Sequence, residues 1–102
     1  MFRKAVVRMA GEVAGYLYRM DTGYRFEYVP GYPYAGVSLS LPVRAQPYEW
    51  EELPPAFTAL APEGWMQKRI AMQEKIDEND AFEMLCRFGQ DLIGAVEIEG
   101  ME

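Results

Sequence analysis

Six of the seven prolines fall between Pro30 and Pro55. Proline fixes φ and removes a backbone donor, so no long helix can run through that stretch. The chain therefore divides into a front part that must build its order before Pro30 and a rear part that must build it after Pro55. In the front part, residues 3–9 and 12–20 are rich in Val, Leu and Tyr and meet at Ala10-Gly11, which predicts two strands joined by a tight hairpin. Asp21-Thr22-Gly23 supplies a second turn, and in Tyr24-Arg25-Phe26-Glu27-Tyr28 the rings alternate with charges, placing three aromatics on one face of a third strand. Within the proline-rich stretch only Gly36-Val37-Ser38-Leu39-Ser40-Leu41 reads as a short strand.

Behind Pro54-Pro55 the pattern turns helical. Ala56 to Leu60 reads as one turn, and a longer helix is expected from about Pro62 to Ile76, with proline suited to the first turn and Glu63 favourable at the positive end of the dipole. A further helix is expected over Ala81 to Arg87, capped by Asn79 or Asp80 and ended by Gly89, with an apolar stripe of Phe82, Leu85, Cys86 and Phe88. Ile93-Gly94-Ala95-Val96-Glu97-Ile98 reads as a closing strand. The expected class is α+β: a small antiparallel sheet, made of an N-terminal meander plus a C-terminal strand, with two to three helices. At 102 residues, half of them hydrophobic, one domain spanning 1–102 with a single core is expected.

The formal net charge is −6, so counterion release cannot drive broad binding to nucleic acid, and no direct nucleic-acid contact is expected. Charge is also uneven. Residues 1–44 hold six Lys/Arg against three acids, whereas residues 45–102 hold four against thirteen, giving +3 and −9. That asymmetry fits either a basic partner near the second half or a solvated acidic surface. No apolar stretch approaches the length of a membrane span, and the basic start Arg3-Lys4-Ala5-Val6-Val7-Arg8 lacks the apolar region of a secretory signal, so a cytoplasmic location is expected.

Reactive chemistry is sparse. There is no histidine, which excludes Ser-His and Cys-His nucleophile arrangements. Cys86, the single cysteine, falls on the expected buried stripe, where a thiol behaves as a small hydrophobe. The acid groups Glu51-Glu52 and Asp77-Glu78-Asp80 lie on loops and helix ends, the places of solvated or capping carboxylates, and Asp77 to Asp80 lacks the glycine and terminal glutamate of a calcium loop. No phosphate-cradling glycine motif occurs. No catalytic residue, metal site or cofactor is expected.

Three segments in order, Ser38-Leu39-Ser40-Leu41-Pro42, Pro62-Glu63-Gly64-Trp65 and Gly89-Gln90-Asp91-Leu92-Ile93-Gly94-Ala95, resemble the N-terminal subdomain of HipA-like serine/threonine kinases. The opening hairpin and the Phe57/Leu60 spacing are similar to that family too, so the resemblance spans nearly the whole chain and implies the fold of that subdomain. In the family a kinase body follows, carrying the nucleotide loop, catalytic Asp and magnesium ligands; these 102 residues stop before it. A chain of this form is similar to the small antitoxin component of three-gene HipBST toxin–antitoxin systems. The resemblance implies a bacterial antitoxin or regulatory subunit for a separate HipA-like (HipT-like) kinase, with a HipB-like helix-turn-helix protein in the same assembly.

Trp65 is the residue on which this expectation turns. At about 100° per residue, Met72 and Ile76 fall within about 20° of Trp65, while Met66 and Ile70 lie near 100° and 140°, so the expected helix has two apolar edges. One edge can face the sheet while the other serves a partner. Trp65 then either anchors an interface or plugs the core beneath the proline-rich loop, and the pattern leaves both open. The expected partner-binding set is Trp65 with Phe57, Glu63, Gly64, Met66 and Arg69. Trp50, among Glu49, Glu51 and Glu52, reads as a loop-pinning residue. Ser38 and Ser40 fit either phosphate acceptors or one face of a strand. Beside inhibition of the kinase stand two rivals: a lobe that completes or activates a split kinase, and an adaptor that bridges kinase and DNA-binding protein.

Overall fold

Ala10 and Gly11 both take positive φ, 50° and 86°, the backbone that a two-residue primed hairpin turn requires. They fold β1 (Lys4–Met9) back onto β2 (Glu12–Met20). The structure is a computed structural model and describes residues 2–60, 80–89 and 95–101. Beyond the hairpin it contains β3 (Gly23–Tyr28), β4 (Tyr48–Trp50), α1 (Pro55–Thr58), α2 (Ala81–Phe88) and β5 (Val96–Met101). The strands form one antiparallel sheet in the order β4-β3-β2-β1-β5. The expected meander and closing strand are thus present, and the closing strand pairs with the first.

Register assigns the two faces. Leu17 stands opposite both Ala5 and Phe26, and Val7 opposite Ile98, so these side chains share one face, where all five are fully buried. Phe57 of α1 and Phe82, Leu85 and Cys86 of α2 complete the same core. Phe82, Leu85 and Cys86 of the expected stripe are thus buried, as are Glu83 and Met84 between them; the Phe88 side chain lies outside what the structure describes. On the opposite face the register lines up Lys4, Arg8, Tyr16, Tyr18, Arg25 and Glu27, and no described helix covers it.

Asp80 caps α2 as expected, its carboxylate accepting the Glu83 N–H at 3.1 Å. Gly89 ends that helix for a different reason from the left-handed turn that glycine usually supplies there. Its backbone stays in the helical region, and a Cβ at this position would come within 2.5 Å of the Ile98 carbonyl oxygen. The missing side chain lets α2 lie directly on β5.

Three expectations on local structure are corrected. Gly36–Leu41 is no strand: Ser38 and Leu41 form a lone bridge across a turn, with Leu41 N–H donating to the Ser38 carbonyl at 3.0 Å. Leu39 is fully exposed while Leu41 is buried, so their alternation marks a tip and a root. Trp50 belongs to strand β4, opposite Tyr24, within the stretch read as loop. The closing strand starts at Val96 and runs to Met101, with Ala95 in a bend before it; Ile93 and Gly94 lie outside the described residues. So does the helix expected from Pro62 to Ile76.

The proline-rich stretch is held by tyrosine hydroxyls. Tyr28 donates to the Leu41 carbonyl and accepts the Val37 N–H at 3.0 Å, and Tyr48 donates to the Pro42 carbonyl at 2.6 Å. Arg44 lies over the Tyr48 ring at 3.6 Å and donates to the carbonyls of Gln46 and Pro47. Polar backbone that proline cannot pair within a ladder is satisfied from neighbouring strands instead.

Candidate docking surface

The expected partner-binding set begins at α1. Pro54 is extended (φ −75°, ψ 160°) and Pro55 takes the first helical position, where its fixed φ fits and its missing N–H costs nothing. The N–H groups of Phe57 and Thr58 donate to the Pro54 carbonyl at 2.9 and 3.0 Å, and Leu60 N–H closes the turn on Phe57 at 3.0 Å. This turn drives Phe57 inward. Its ring is 1% exposed and meets Phe26 at 5.3 Å and Trp50 at 6.3 Å, both tilted or edge-on, the arrangement that aromatic quadrupoles favour. Trp50 in turn stacks on Tyr48 at 5.9 Å and 7°. Phe57 therefore roots α1 in the core.

Of the remaining expected site residues, Glu63, Gly64, Trp65, Met66 and Arg69 lie outside the described residues. What the structure does place is the pair of ends between which they are strung. Thr58 and Leu53 on one side and Asp80, Ala81 and Phe82 on the other line a single open cleft of about 730 Å³. Asp80 is fastened twice there: it caps α2, and it forms an ion pair with Arg19 at the end of β2. The Arg19 guanidinium also covers the Phe82 ring at 4.7 Å, and Phe82 meets Tyr24 at 5.8 Å. Thr58 and Asp80, which precede and follow residues 61–79 in sequence, thus share one corner of the fold, beside the aromatic core.

The cleft is acidic. Among the described residues, Asp21, Glu51, Glu52 and Asp80 contribute to its walls, against Arg19 as the one cation. Arg19 is committed to Asp80, and Asp21 pairs with Arg3 at 2.7 Å in an exposed bridge that contributes little to stability. A partner with basic side chains at this corner meets a complementary field.

Groups that could do chemistry are unfavourably placed. Burial, with the nearby Glu83 charge adding to it, pushes the Cys86 thiol up to about 12, so the nucleophilic thiolate is suppressed. Among the described residues no group of three or more His, Cys, Asp or Glu is gathered to hold a metal ion, and no helix there is long and apolar enough to cross a membrane.

Three supports of this corner lie beyond the reach of sequence reading. Arg19 sits at a strand end with no motif around it, and its partner Asp80 is 61 positions away. Tyr48 and Trp50 carried the signal of aromatics at alternate positions, but over three residues amid prolines and glutamates that signal is too short to separate strand from loop.

Comparison with known proteins adds the family context. Residues 5–99 match the family described as HipA N-terminal domain. A protein of Haemophilus influenzae, itself uncharacterized, is 36% identical over 99 residues, which span 97% of this chain and 93% of that protein. A solved structure described as the N-terminal domain of HipA toxin superposes with a TM-score of 0.80 at 33% identity, covering all of this chain and 95% of that one.

Proposed function

Because the chain belongs to the HipA N-terminal domain family, we propose that it docks on a HipA-like (HipT-like) serine/threonine kinase and holds that kinase inactive, in the manner implied by its similarity to HipS, the small component of HipBST systems. The observation that supports this most is the pair of residues held on either side of 61–79 in sequence: Phe57 buried against Phe26 and Trp50 before it, and Asp80 tied to Arg19 and to α2 after it. Trp65, with Glu63, Gly64, Met66 and Arg69, stands in sequence between these two core-held residues and is the proposed contact.

Trp65 is the anchor. Desolvated aromatic anchors typically contribute more than about 2 kcal/mol to protein interfaces, and a bulky ring set near the kinase nucleotide site, or wedging its phosphate loop, blocks phosphoryl transfer, which depends on positioning and charge stabilisation. The chain supplies no chemistry of its own, consistent with the suppressed Cys86 thiol. A HipB-like helix-turn-helix protein joins the same assembly and supplies any DNA contact, since a net charge of −6 opposes direct binding here.

The sign of the effect tests the proposal. In a phosphorylation assay with the kinase that co-purifies from native cells, added chain should lower turnover in proportion to its amount. A rise would instead mark a lobe that completes the kinase, and an unchanged rate with a stable complex would mark an adaptor.

A further inference from the structure

Charge pairing across the described residues leaves one arginine over. Arg3 pairs with Asp21, Arg8 with Glu99, Arg19 with Asp80, Arg25 with Glu49 and Arg87 with Glu83. Among the described residues Arg44 has no carboxylate partner, in a chain where 16 acids stand against 10 Lys and Arg. It is held in place all the same. Its guanidinium lies over the Tyr48 ring at 3.6 Å, and Nε and Nη2 donate to the carbonyls of Gln46 and Pro47, both at 3.1 Å. Among the described residues nothing engages Nη1. A planar fork already fixed in this way loses little further freedom when it takes an acceptor.

Beside Arg44 lies an open groove of about 430 Å³, walled by Tyr28, Pro30 and Tyr32 from the end of β3 onward and by Val43, Arg44 and Ala45 behind Pro42. Among the described residues that line it, Arg44 is the one charge, in contrast to the acidic cleft at the other corner. Much of the wall is aromatic. Tyr28 and Tyr32 stack at 5.6 Å and 20°, and Tyr34 meets Tyr32 edge-on at 5.6 Å. Tyr34 and Val43 are 58% and 40% exposed, so apolar surface is left to solvent here. The groove is also braced, because the Tyr28 and Tyr48 hydroxyls hold the carbonyls of Leu41 and Pro42, the residues that lead into Val43.

We propose that this groove is a docking site for an extended segment of a protein partner in which an apolar or aromatic side chain stands next to a carboxylate. The apolar group covers the tyrosine wall, and the carboxylate takes the Nη1 donors of Arg44 in a charge-assisted bond that a neutral group cannot match. A nucleic acid fits poorly, since one arginine releases few counterions and a net charge of −6 repels phosphate. A second copy of the chain fits poorly too. Its own aromatic among acids, Trp50, is engaged with Tyr48 and Phe57, and Glu49 is engaged with Arg25. The site stands apart from the kinase proposal and is tested without any kinase.

The probe is a capped pentapeptide with phenylalanine at its centre, aspartate on either side of it and glycine at each end, titrated into isotope-labelled chain. Saturable shifts should appear at residues 29–32 and 43–45, with NOEs from the phenylalanine ring to Tyr32 or Val43. Replacing both aspartates by asparagine should weaken binding about fivefold or more, and replacing phenylalanine by glycine should abolish it. With the Arg44→Gln chain the aspartate and asparagine peptides should bind alike, because the two changes remove the same contact. Equal binding of the two peptides to the parent chain, shifts centred elsewhere, no saturable shift, or a peptide-free dimer closed over Tyr32 and Val43 would each overturn the proposal. The peptide substitutions use the unaltered chain, so the result does not hinge on the folding of the variant.

Discussion

The carboxylate of Glu83, on the buried side of α2, accepts the backbone N–H of Phe2 at 3.0 Å across 81 positions of sequence, while its other oxygen takes the Arg87 guanidinium at 2.8 Å. One side chain thereby ties the start of the first strand to the helix that follows segment 61–79. Burial by itself would push this carboxyl up, but the Phe2 N–H and the Arg87 charge together hold it below the usual glutamate range.

A depressed folded-state value means the unfolded chain binds the proton more readily, so the stabilisation from Glu83 is complete above the ordinary glutamate value of about 4.3 and is lost as pH falls through the lower folded value. Glu83→Gln should cost about 1–3 kcal/mol at neutral pH, the range for weakening a buried charge-assisted pair. Urea titrations from pH 7 to pH 3 should also show a shallower acid decline for the variant than for the parent chain.

Phe57→Ala should destabilise the fold by about 3–5 kcal/mol, as a large ring is removed from between Phe26 and Trp50 and leaves a cavity. Denaturant midpoints measure it. Any loss of kinase binding in this variant should track loss of fold, unlike a loss caused at an interface anchor.

Removing only a hydroxyl should loosen only the proline-rich stretch. Tyr28→Phe leaves the Val37 N–H and the Leu41 carbonyl without their partner, at a cost of about 1–3 kcal/mol. Hydrogen exchange at Val37 should accelerate, while amides in β1 and β2 keep their protection.

Cys86 should resist a thiol-directed disulfide reagent at pH 8 in the folded chain, since a value of about 12 leaves on the order of one thiolate in ten thousand. Adding denaturant should release rapid, complete reaction. Fast labelling of the native chain would contradict the burial.

The parts of the fold that were legible in sequence are those whose signal is local. Ala10-Gly11 specified its own turn, Asp80 its own cap, and Tyr24-Arg25-Phe26 its own faces. Elements decided by a distant partner were not. Three residues at Tyr48–Trp50 become a strand because Tyr24 and Phe26 stand ready to pair with them, and β5 is set by its register with Lys4–Met9, which places it later than its hydrophobic run suggested. Ser38–Leu41 misled because four residues of alternating polarity describe a turn as well as a strand. At the candidate site, sequence spacing singled out Phe57 but gave no sign of its burial against Phe26 and Trp50. Arg19 and Asp80, far apart in sequence, carried no pattern that joined them.

The proposed function rests on Trp65 as the residue through which the chain holds a kinase inactive. The most direct measurement is a titration of the co-purified HipA-like kinase with the parent chain and with Trp65→Ala, after matched thermal unfolding curves have shown that the variant folds. Phosphorylation should vanish near one equivalent of the parent chain and persist at several equivalents of Trp65→Ala. Equal neutralisation by both chains would contradict the account.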